Sequence, residues 1–236
     1  MDIIAGKERE NFCRNNILIV DHVTNSLVDV LKKHLAINTL SFENFIKLHQ
    51  HDIYHLCFNK RQCCQSPPRC VLPHNRVLNP QQLEKLLDKD EVARPCHVPR
   101  IRADFCFWLA KPDVTTDVLD ITLVKCLLIN FCEDVFRTTP SLRENIDTLH
   151  QMRNIYGHAI QGRITDGQYR IDKNKIESAI LEIAKVCGNE TEKKQIFMDL
   201  EKRSLDGDLC IHYHNILLEQ IARETRLEEV RLVNKR

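Results

Sequence analysis

Arg153-Asn154-Ile155-Tyr156-Gly157-His158 is the stretch of this sequence whose residue types and spacing best suit chemistry. Arg153 offers a planar fork of donors matched to a phosphate. His158 can give or take a proton near neutral pH. On a helix Asn154 lies one turn before His158 on the same face, so its amide can orient the imidazole or a phosphate oxygen. Gly157, one turn after Arg153, removes a side chain that would crowd it. Together these groups suit metal-free cleavage of RNA, in which a 2′-hydroxyl attacks the adjacent phosphate and an imidazole moves the proton. One geometric difficulty is built in. Five residues along a helix is a rotation of about 140°, so Arg153 and His158 do not share a face. Either the helix distorts at Gly157, or Arg153 reaches around, or a second copy of the chain completes the site. The plainer alternative is an exposed arginine and a capping histidine near a helix end.

The hexapeptide needs a helix to hold it, and Ser141 to Ile160 supplies one. Ile146, Leu149, Met152, Tyr156 and Ile160 recur at spacings of three and four, one apolar stripe. Asp147, His150, Gln151, Asn154 and His158 form a polar stripe on nearly the opposite side. Short hydrogen-bonding groups and two imidazoles, rather than Lys and Glu, suit a cleft, and His150 is a further substrate-binding candidate beside Arg153 and Asn154.

Other helices are expected around it. Residues 8–37 carry the stripe Phe12, Ile17, Val20, Val23 or Thr24, Leu27, Leu31 and Leu35. Ser41 reads as the N-cap of a helix to about Cys57, with Asn44 in the capping-box position. His49, His51 and His55 lie along that helix, only the last two on one face. Asn79-Pro80 opens a helix ending near Lys89. A long helix from about Thr116 to Phe136 is apolar over most of its circumference, which marks a central helix or a dimer face. Asp166-Gly167 reads as a turn within a tiny hairpin. Residues 172–186 form an amphipathic helix closed at Gly188, and helices over 190–204 and 208–234 follow.

Totals bound the rest. The chain has 236 residues, 11 cysteines, 6 glycines, 8 prolines and a formal net charge of +1. Sparse aromatics, Gly and Pro lean towards helices rather than a β-sandwich. A near-zero charge means that any attraction to nucleic acid must be local. Met1 to Asn11 is too quickly charged for a signal peptide, and no apolar run of about twenty residues suits a membrane span. The expectation is a cytoplasmic protein with reduced thiols. Residues 57–76 change character: Cys57, Cys63, Cys64, Cys70 and His74 stand in a Pro-bearing loop with Lys60, Arg61, Arg69 and Arg76. Thiolates beside cations ionise more readily, which favours ligation. Cys57, Cys63, Cys70 and His74 could hold a structural zinc. The spacing lacks a C-x2-C pair, so a thiol-rich core patch and a redox pair remain open.

The order Trp108…Pro112…Leu119-Asp120-Ile121-Thr122-Leu123-Val124…Leu127-Leu128, then Asp147…Met152-Arg153-Asn154-x-x-Gly157-His158, then the helix at 172–186, resembles the HEPN superfamily. The likeness is to the branch at the start of the DAZ-interacting ubiquitin ligase, spans roughly residues 40–188 and includes Cys63-Cys64. It implies an all-α helical bundle of HEPN type, with an N-terminal helical extension and Cys/Pro-rich loop over 1–103, a core over 104–188, and C-terminal helices over 189–236. It further implies a homodimer in which Arg153, Asn154 and His158 line a shared RNA cleft, with no cofactor required for cleavage. Some branches of the superfamily use the unit only for binding or assembly. A non-catalytic dimerisation or adaptor module in an innate-immune or ubiquitin-related protein is therefore the alternative, the C-terminal helices being available to a protein partner. No RING signature accompanies the motif.

Overall fold

Side-chain caps start several of these helices where the sequence puts them. In the computed structural model, which describes residues 3–59, 73, 75–93, 107–159 and 162–233, Ser41 Oγ accepts from the Asn44 backbone N–H at 3.1 Å. It opens α3 (Phe42–Cys57). Asn79 Oδ1 accepts from the Gln82 N–H at 2.8 Å while Gln82 Oε1 accepts from the Asn79 N–H at 3.1 Å. That reciprocal box, with Pro80 in the first turn, opens α4 (Pro80–Leu86). Two orphan N–H groups are satisfied at once.

Before these run α1 (Ile3–Ile17), a π-helical turn (Leu18–Val23) and α2 (Thr24–Ile37). After α4 come β1 (Leu87–Ala93), β2 (Phe107–Ala110), a 3-10 turn (Thr116–Val118), α5 (Ile121–Phe131), α6 (Glu133–Thr138), α7 (Ser141–Gly157), α8 (Asp166–Cys187), α9 (Glu190–Lys202) and α10 (Gly207–Val233). The fold is an all-α helical bundle with one small antiparallel sheet among the described residues.

Four details depart from the sequence reading. The helix read over 8–37 begins at Ile3 and is interrupted by the π turn at Leu18–Val23. The helix opened by Asn79 stops at Leu86, because Leu87–Ala93 pairs with Phe107–Ala110 across a bulge between Asp88 and Val92. The apolar helix expected over 116–136 is divided. Asp120 Oδ1 accepts from the Leu123 N–H at 2.9 Å and fixes the start of α5. Near its end the Asn130 amide donates to the Cys126 carbonyl at 2.8 Å, a local bond that competes with the helical ladder. Cys132 then leaves helical geometry at φ −120°, ψ 45°. Finally, Asp166-Gly167 is the first turn of α8 rather than a hairpin, since Thr165 Oγ1 caps the Gln168 N–H at 3.3 Å. Gly188 closes α8 as expected, at φ 80°, a conformation glycine adopts without strain.

The chain divides into two compact units, residues 1–33 with 132–236, and residues 34–131. In the first unit α7 packs along α8 and α10, α1 lies against α8 and α10, and α9 against α8. In the second, α3 packs on β2 and α4, and Phe45 and His49 of α3 meet Phe131 of α5 at ring-centroid distances of 6.3 and 4.6 Å. Leu123, Leu127 and Leu128 of α5 are fully buried. No helix among the described residues is long and apolar enough to cross a membrane.

Candidate functional site

α7 presents the hexapeptide at its C-terminal end. Leu142, Ile146, Leu149, Met152 and Tyr156 are buried, as the apolar stripe requires, while His150 and Asn154 are half-buried and His158 is exposed. His150, Asn154 and His158 follow one another at four-residue steps, each a stagger of about 40° around the axis. The helix ends at Gly157. His158 is its C-cap residue at φ −97°, ψ 1°, its backbone N–H donating to the Asn154 carbonyl at 3.0 Å.

Arg153 is only 2% exposed. Its Nη1 donates to Asn154 Oδ1 at 3.0 Å, so the guanidinium lies beneath the surface and fixes the amide beside it. The exposed arginine of the plainer alternative is thus absent, whereas its capping histidine is present. The sequence carried a signal for this burial. Arg153 stands one turn after Leu149 and three residues before Tyr156, inside the angular range of the apolar stripe.

Tyr156, read as apolar, has a polar role as well. Asn15 Nδ2 donates to its hydroxyl at 2.6 Å, and the hydroxyl donates to Asp172 Oδ2 at 3.0 Å. Gln168 Nε2 donates to the other Asp172 oxygen at 2.7 Å. Phe12 stacks on the tyrosine ring at 5.2 Å. Burial first, then the Asp172 carboxylate, pushes the phenol well above its ordinary range, although the Asn15 bond opposes the shift. These bonds and the stacked ring fix the Tyr156 side chain in one position. It anchors the last turn of α7 to α1 and α8. Asn15 and Asp172 were not singled out in the sequence. Asn11 and Asn15, one turn apart beside Phe12, were the available sign.

The histidines of α3 are packing groups. His49 sits between Phe45 and Phe131, at 4.9 and 4.6 Å, and burial lowers its pKa. His55 is buried against His51, ring to ring at 4.8 Å, and desolvation likewise lowers its pKa. Of the four zinc candidates, Cys57 closes α3 and is buried, with Arg76 Nη2 at 3.5 Å from its sulfur. Cys63, Cys70 and His74 lie outside the described residues.

Comparison with family models, curated proteins and solved structures gives no match for this chain.

Proposed function

We propose that this chain is an RNA-binding HEPN-type domain acting as a dimeric, metal-independent endoribonuclease through Arg153, Asn154 and His158. The observation that carries the reading is the tie between them at an exposed helix end. Arg153 holds the Asn154 side chain at 3.0 Å, and the Asn154 carbonyl receives the His158 N–H at 3.0 Å. In this scheme His158 moves the 2′-hydroxyl proton, Asn154 and His150 contact the phosphate or ribose, and Arg153 positions Asn154. The buried guanidinium charge also favours an anion at that edge, because Coulomb attraction is screened less through protein than through water.

RNA incubated with the full chain in EDTA, with its ends analysed, tests the reading: products ending in a 2′,3′-cyclic phosphate are expected. Tight binding without cleavage would leave a binding module. Neither binding nor cleavage would favour the second reading, a non-catalytic dimerisation or adaptor module, which the burial of Arg153 supports on its own account. A protein partner would then engage the C-terminal helices.

We also propose a structural zinc held by Cys57, Cys63, Cys70 and His74. Its support is the thiol-rich, basic composition of 57–76. Protein purified without chelator is expected to carry about one equivalent of zinc, lost in Cys70→Ser. Metal-free protein of unchanged thermal stability would end the idea.

A further inference from the structure

α1 and α10 cross with a matched set of side chains between them. Phe12 of α1 meets the His214 ring of α10 edge-on at 5.3 Å. One residue on, Cys13 neighbours Cys210, which stands one turn before His214 where α1 packs on α10. One residue further, Arg14 Nη2 donates to the Arg203 carbonyl at 2.9 Å, and Arg14 Nη1 reaches the Leu200 carbonyl. Contacts on both sides of Cys13 therefore fix it on the stretch of α1 that faces Cys210. Cys13 is 1% exposed, whereas Cys210 is partly exposed. Cys210 also lines an open cavity of about 540 Å³ together with Arg9, Glu10, Phe12, Asp206 and His214.

We propose that Cys13 and Cys210 are an oxidisable pair, an intramolecular disulfide site that staples α1 to α10. The oxidant is a small-molecule disulfide of the glutathione type, which the cavity admits to Cys210 but not to Cys13. The Cys210 thiol gives its proton to solvent and its sulfur attacks the small disulfide; a mixed disulfide forms and one glutathione thiolate leaves. Cys13 then attacks the Cys210 sulfur and passes its proton to the departing glutathione sulfur, releasing the second glutathione as a thiol and leaving the Cys13–Cys210 bond. Two protein thiols are oxidised and one small disulfide is reduced to two thiols. Burial, and then the adjacent Cys210, keep Cys13 protonated at rest, against the pull of Arg14 and Arg203. Thus Cys210 is the entry sulfur and Cys13 the resolving one. This pair stands independently of the RNA reading.

The test uses the full chain, treated with oxidised glutathione, alkylated and digested with trypsin without reductant. The expected product joins the peptide of residues 10–14 to that of residues 204–223, and it disappears on reduction. Cys13→Ser should abolish the linked pair and accumulate a stable glutathione adduct on Cys210. Cys210→Ser should leave Cys13 unmodified. The proposal is overturned if wild-type Cys210 carries glutathione while Cys13 stays reduced. It is equally overturned if Cys13 is recovered mainly in disulfides with other cysteines. The wild-type digest decides by itself, so a variant that fails to fold does not obscure the answer.

Discussion

RNA held in EDTA with His158→Ala protein should be cut about 10²–10⁴-fold more slowly than with the wild-type chain, the usual worth of a positioned acid–base group. The fold should not change. His158 is exposed, and it caps α7 through its backbone N–H, which alanine retains. Substitutions of exposed side chains usually stay within about 0.5 kcal/mol. Loss of cleavage at an unchanged melting temperature is therefore the expected signature. Equal cleavage by the two proteins would point to a contaminating nuclease. Arg153→Ala should behave differently, lowering turnover, RNA binding and thermal stability together, since that side chain is buried and holds Asn154. Asn154→Ala should be intermediate in turnover, water partly replacing its amide.

Leu128→Ala should cost about 2–5 kcal/mol of stability, the range for truncating a buried leucine to leave a cavity. Leu128 is fully buried within a single chain. The loss should therefore appear in denaturant titrations at every protein concentration. An unmoved midpoint would remove α5 from the core. A loss that faded on dilution would instead place the residue at a seam between copies.

Legibility followed how local each determinant is. Ser41, Asn79-Pro80 and Gly188 were readable because a cap is decided by a few neighbouring residues. β1 was not. Its run Leu87-Asp-Lys-Asp-Glu-Val-Ala has no alternation, and only pairing with Phe107–Ala110 makes it a strand. The break at Cys132 was hidden for the opposite reason, since apolar residues continue through it while a single amide, that of Asn130, turns back on the ladder. At the candidate site the spacing of His150, Asn154 and His158 was legible as a face. The burial of Arg153 was obscured by charge, although its position in the stripe implied it. The Tyr156–Asp172 link joins residues sixteen apart on different helices, and helical periodicity carries no information about such pairs.

The π turn of Leu18–Val23 has a consequence for how this chain tolerates changes in length. A π turn bonds each residue to the fifth along rather than the fourth, so it is an α-helix storing roughly one surplus residue. The competition between Val23 and Thr24 for one place in the stripe is the mark of that surplus. A single-residue deletion between Leu18 and Val23 would return the segment to plain α-helix, leaving Phe12 and Leu27 on the faces they occupy now. The same deletion at Lys32, in α2, has no slack to draw on. It would turn the remaining turn of α2 by about 100° and swing His34 and Leu35, both buried, off their present face.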